Sequence, residues 1–122
     1  MEGQVSILYP SRVKFGDKRM GQLYMSSVIK EYAVKRSELG NYIEVDQFTE
    51  VIPEERLKLL EKIFAKYNSE ENPLSMHINP AKQELIGKWQ SYTSMSIGSI
   101  VKIVIKEIEE LWVVAGMGFE KL

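Results

Sequence analysis

The last quarter of the chain leaves the least freedom. Ile97, Ile100, Val101, Ile103, Val104 and Ile105 form a β-branched apolar run, and Leu111-Trp112-Val113-Val114-Ala115 returns with similar chemistry. Lys106–Glu110 between them is polar and reads as a turn. Two such runs around a short polar break predict an antiparallel hairpin. Lys102 and Lys106 mark a wet face, although Val104 shares their parity. Gly116-Met117-Gly118-Phe119 predicts a sharp bend, with a short third strand after it. A lone hairpin is marginal in water, so the rest of the chain must supply further strands and a covering layer.

Val5-Ser6-Ile7-Leu8-Tyr9 reads as an N-terminal strand stopped by Pro10. Asn41–Phe48 reads as extended, through Tyr42, Ile43, Val45 and Phe48. Thr49–Asn68 holds the clearest helix. Pro53 suits its first turn, Glu54 and Glu55 its positive end, and Lys62 and Lys66 its other end. Leu57, Leu60, Ile63, Phe64 and Tyr67 make its apolar stripe, widened by Leu59. Glu54 and Lys58 stand in the favourable i,i+4 order. Leu23–Leu39 is ambiguous. Met25, Val28, Ile29, Tyr32, Arg36 and Leu39 follow helical spacing, and Gly40-Asn41 supplies a stop. Tyr24, Val28, Tyr32 and Val34 also share one parity, as a strand requires. Length and the glycine stop favour helix. Asn68–Pro80 reads as a loop carrying His77, and Ala81–Trp89 as a short helix with Leu85, Ile86 and Trp89 inward. The sum is an α+β fold, residues 1–122 as one small domain. Its antiparallel sheet, the C-terminal hairpin plus the N-terminal strand, packs against two or three helices.

Composition narrows the chemistry. The chain has 122 residues, 44% apolar and 27% charged, enough for one core without staples. It has no cysteine, which removes disulfides, thiolate metal sites and cysteine nucleophiles. His77 is the only histidine, so neither a His-rich metal site nor a catalytic triad is expected. No metal, cofactor or enzymatic activity is therefore expected. Sixteen cations against 17 acids give a net charge of −1, which argues against a basic nucleic-acid coat. The start has no basic leader region, and Val5–Tyr9 is too short to span a membrane. The expectation is a soluble intracellular protein of the cytoplasm.

Three clusters stand out as candidate sites. Ser11–Gly21 carries Arg12, Lys14, Lys18 and Arg19 against Asp17 alone, with Phe15 and the nearby Tyr9 interleaved. Cations among aromatics can contact phosphates and stack bases, and Lys30, Lys35 and Arg36 would extend the patch. Gly16 and Gly21 lack the Lys-Ser/Thr of a Walker loop. Glu44 and Asp46, one strand period apart, would share a face and bind a cation or move a proton. A solvated edge explains them better. Tyr9, Tyr24 and Tyr92 are aromatics that could serve an interface.

The third cluster is Tyr92-Thr93-Ser94-Met95-Ser96-Ile97-Gly98-Ser99-Ile100-Val101, a hydroxyl-rich loop running into a strand. Its hydroxyls can satisfy backbone groups, and Gly98 can take an angle closed to residues with a Cβ. It is no nucleophile elbow, because its glycine pattern is wrong. The stretch resembles a C-terminal signature of small, mostly uncharacterised accessory proteins of phages, archaeal viruses and plasmids. The matching positions are Thr93, Ser94, Met95, Ser96, Ile97, Gly98, Ile100 and Val101, then Trp112-Val113-Val114 and Gly118-Phe119. Leu60–Phe64 and Asn68 look like the helix such proteins carry upstream. The resemblance covers residues 57–122. Ser99 replaces the usual acidic residue and so removes a group that could have been functional. The resemblance implies a viral or mobile-element origin and an accessory role.

Non-catalytic binding of a host or viral macromolecule is then the leading expectation. An anti-defence inhibitor, anti-CRISPR or anti-restriction, is its special case. The alternative is nucleic-acid binding through Arg12, Lys14, Phe15, Lys18 and Arg19. Thr93, Ser94, Ser96, Gly98, Gly118 and Phe119 are expected to matter for folding. A homodimer through hairpin edge pairing or an apolar patch is compatible with either function.

Overall fold

The N-terminal strand, β1 (Glu2–Pro10), is the spine of the molecule in the computed structural model, which describes residues 1–75 and 94–122. It pairs with β2 (Tyr42–Val51) on one side and β3 (Ile100–Ile105) on the other. β4 (Ile108–Ala115) and β5 (Gly118–Lys121) continue the sheet outward, in the order β2-β1-β3-β4-β5 with every pair antiparallel. With strands on both sides, Val5, Ile7 and Tyr9 are fully buried on one face. Tyr9 is thus core rather than interface. Pro10 ends the strand opposite Tyr42, where the chain no longer needs a backbone donor.

The expected hairpin is present, with a tighter turn. β4 begins at Ile108, so only Lys106 and Glu107 lie between the strands. Both have positive φ, 48° and 70°. That is the twist a two-residue hairpin turn needs, made here by residues that do not favour it.

β2 is longer than expected and carries a bulge. Ile7 pairs with Asp46, and Leu8 pairs with Glu44, leaving Val45 as the extra residue. Two consequences follow. Val45 is buried in the core. Glu44 and Asp46 do not form the expected pair on one face: Asp46 accepts the Tyr67 hydroxyl at 2.6 Å, whereas Glu44 lies near Lys102 and Glu109 on the opposite face.

The helix α3 (Arg56–Lys66) starts later than the sequence suggests, because residues 49–51 extend β2 along Glu2–Gln4. Leu59, Leu60, Ile63 and, just beyond the helix, Tyr67 pack on Val5, Ile7, Tyr9, Val101 and Ile103. Each such buried side chain contributes roughly 1.5–3 kcal/mol. Leu57 and Phe64, expected in the stripe, stand at the solvent boundary. Lys58 meets Glu55 at 3.8 Å rather than Glu54.

The other face of the sheet is covered in part by the chain between β1 and β2. The Ser11–Gly21 loop is instead two short helices, α1 (Arg12–Phe15) and α2 (Asp17–Tyr24). Ser11 caps the first, accepting from the Lys14 amide. The long helix expected over 23–39 does not form. The Ser26 hydroxyl donates to the Leu23 carbonyl at 2.6 Å, and Ser26 and Ser27 draw the backbone into turns. Two 3₁₀ turns follow, Lys30–Tyr32 and Arg36–Asn41. Met20, Leu23, Val34 and Tyr42 then form a second core with Ile100 and Leu111. The result is one α+β domain. No helix among the described residues is long and apolar enough to cross a membrane. The expected helix Ala81–Trp89, with His77, Tyr92 and Thr93, lies outside the described residues.

Candidate functional site

The basic cluster does not act as one unit. Arg19 is built into the fold: its guanidinium grips Glu38 through two bonds, 2.7 and 2.8 Å, and donates to the carbonyls of Tyr32 and Ala33 at 2.9 and 3.1 Å. This fork ties α2 to both 3₁₀ turns. The bonds from Arg19 hold the Glu38 carboxyl below its ordinary range, against the opposing cost of burial. Phe15 packs edge-on against Tyr42, with ring centroids 5.5 Å apart. Arg12 pairs with Asp17 at 3.1 Å at the surface. Lys14 and Lys18 are exposed, and the Lys14 ammonium reaches the Gly40 carbonyl at 3.4 Å. Arg12, Lys14 and Lys18 therefore face solvent in part or fully, while Arg19 and Phe15 are committed to structure.

The hydroxyl-rich segment makes a turn. The Ser99 amide donates to the Ser96 carbonyl at 2.9 Å, and the Ser96 amide to the Ser99 hydroxyl at 3.2 Å. Gly98 sits between them at φ 93°. Its amide donates to Val114 and its carbonyl accepts the Tyr42 hydroxyl at 2.6 Å. Ser99 is fully buried. The oxygen at position 99 thus serves the turn, not a ligand. Met95 is core, while Ser94 is exposed. Gly118 takes φ 101° to open β5, and Phe119 meets Phe64 edge-on at 6.3 Å.

Glu110 and Asp46 are also structural. Arg56 clamps Glu110 at 3.0 and 3.3 Å, and these bonds, helped by the Trp112 indole, lower the Glu110 carboxyl against burial. Tyr67 is buried beside Asp46, and burial first, then that hydrogen bond, raises its phenol well above the ordinary value. Among the described residues no group of three His, Cys, Asp or Glu could hold a metal ion.

Among the described residues the end of the sheet at β4–β5 is open. A cleft of about 440 Å³ lies between this hairpin and the loop after α2. Leu23, Val34, Val113 and Leu122 line its apolar part, and Lys30 and Glu120 its polar part. A Cβ on Gly116 would overlap Ser27, so the hairpin turn sits directly on the loop. Met117 lines this cleft, and two further large apolar residues, Met25 and Val28, stand exposed in the segment just before and after the lining residues Ser26 and Ser27. Met117, at the hairpin tip, is 100% exposed, Val28 is 81% and Met25 53%. Sequence periodicity placed Met25 and Val28 on a buried helical stripe and missed this surface. The hint was Met117, a large apolar residue set between two glycines.

No family model, no curated protein and no solved structure matches the chain.

Proposed function

We propose that this chain is a non-catalytic binding protein that docks a host or viral protein at the β4–β5 end of its sheet. The observation that carries the reading is Met117, fully exposed and lining an open cleft whose other wall includes Ser27, the neighbour of the exposed Val28. Large apolar side chains held in water contribute nothing to the fold, and clustered ones mark contact surfaces. Methionine suits this work because its side chain adapts to the surface it meets. The resemblance of residues 57–122 to viral and plasmid accessory proteins supports the same role. On that basis the partner is a component of a host defence system, and the protein acts by occupying it.

Nucleic-acid binding through the basic cluster is the second reading, and it rests on Arg12, Lys14 and Lys18 at the surface of α1 and α2. Retrieval of partners from host lysate by the tagged protein, with and without nuclease, separates the two. The expected result is a protein that survives nuclease, is lost with Met117→Asp/Val28→Asp and is kept with Lys14→Ala/Lys18→Ala. Recovery abolished by nuclease and by the lysine pair, with a steep dependence on salt, would overturn the docking reading.

A further inference from the structure

We propose that the docking surface works by strand addition: an extended segment of the partner pairs with the edge of β5, which no strand among the described residues covers. This rests on the reading of the β4–β5 end as a partner surface.

The direction of the backbone groups follows from the ladder. The Leu122 amide donates to the Leu111 carbonyl at 2.8 Å, and Trp112 stands opposite Lys121. Val114 turns its own amide and carbonyl the other way, toward Ser99 and Gly98. Antiparallel pairs alternate between bonded and non-bonded. Glu120 and Gly118 therefore bond to β4, and Phe119 and Lys121 turn their N–H and C=O groups outward.

The two edges of the sheet differ. The outer strand β2 carries the Val45 bulge and exposes Glu44, devices that keep other strands away. β5 is only four residues long and exposes Glu120 and Lys121, but it has no bulge and no proline, so its charges select among partners rather than bar them all. Depressions flank it on both faces. One is the cleft described above, and the other, about 280 Å³, is lined by Glu61, Phe64 and Phe119. A strand laid along β5 sends successive side chains alternately toward the two.

Facing residues set the chemistry of the occupant. An apolar residue belongs opposite Phe119, a cation opposite Glu120 and a carboxylate opposite Lys121. A second copy of this chain fits poorly. Pairing centred on Glu120 sets two glutamates face to face, and pairing centred on Phe119 leaves Glu120 opposite glycine and Lys121 opposite methionine.

The probe is the capped peptide Ser-Glu-Arg-Ile-Thr-Val, which matches this order in antiparallel sense, against Ser-Arg-Glu-Ile-Thr-Val with its charges exchanged. Binding to the full chain is followed by amide NMR. The expected result is that the Phe119 and Lys121 amides shift and gain exchange protection, while Gly118 and Glu120 keep theirs. Lys121→Pro removes one outward N–H on an edge and should weaken binding roughly tenfold. Lys121→Ala, which keeps that amide, should weaken it less. Wild-type binding by Lys121→Pro, no binding of the matched peptide, or equal binding of the exchanged one overturns strand addition. A concentration-dependent dimer lost in Lys121→Pro overturns it in favour of a second copy. Met117→Asp/Val28→Asp in the lysate retrieval reports separately on the docking surface, so that reading can stand if strand addition fails.

Discussion

Gly98→Ala tests the turn at the start of β3 in isolation from packing. Gly98 has φ 93°, a region that side chains with a Cβ avoid. An added Cβ would lie 3.7 Å from the Leu23 Cβ, an ordinary contact. Space is therefore available, and the cost is in the backbone, about 1–2 kcal/mol. For 122 residues the unfolding entropy is roughly 0.26 kcal/mol per degree, so Tm should fall by about 4–8 °C. Gly98→Val should fall further, because its extra methyl groups press on Leu23. The matched control is Gly21→Ala in α2, where nothing lies within 4 Å of the new Cβ and φ is not positive. There the helical backbone gains about 1 kcal/mol, and Tm should rise by roughly 4 °C. Thermal unfolding followed by circular dichroism reads all three. If Gly98→Ala melts within a degree of wild type, the backbone-strain account of this turn is wrong.

Replacing Lys106-Glu107 by Asn-Gly should stabilise the hairpin by about 1 kcal/mol, because both residues now hold positive φ; an unchanged or lower denaturant midpoint would count against it. Arg19→Ala should cost about 2–3 kcal/mol, since it strands Glu38 and leaves two carbonyls without their donor. Arg19→Lys should recover little of that, lacking the fork. Tyr67→Phe should cost about 1 kcal/mol by removing the donor to Asp46, read in urea unfolding. Glu38 and Glu110 have folded pKa values below the unfolded value of 4.5. The unfolded chain thus binds protons first as pH falls, so stability is fully present above that value and declines below it. Glu38→Gln/Glu110→Gln should flatten this decline, and a slope equal to wild type would refute the assignment.

The elements legible in the sequence are those where one period dominates. The hairpin, β1 and α3 could be recognised as elements from their spacing, although the α3 stripe also took in Leu57 and Phe64, which stand at the solvent boundary. The bulge was also present, though less visibly. Ile43 and Val45 share a parity, and Phe48 has the opposite one. That switch is what an extra residue in β2 produces, and it separates Glu44 from Asp46. Residues 23–41 resisted reading because no period governs them. Val34 and Leu39 pack on the sheet through two 3₁₀ turns, each held by Arg19 and Glu38 rather than by a continuous helix.

The site was harder to see than the fold because residue type does not carry it. Arg19 looks like Lys14 and Lys18 in the sequence, yet a partner 19 positions away takes it out of the surface. Met25 and Val28 look like core, yet the turn at Ser26 leaves them in water. Gly116-Met117-Gly118 is the exception, since its placement can be argued from local rules. Gly116 is needed where the turn meets Ser27, and Gly118 where φ is positive. The residue between them is held at the tip and cannot reach the core. A polar side chain would meet every structural demand there. A fully exposed methionine meets none of them, and this is the ground on which we propose Met117 as part of a contact surface.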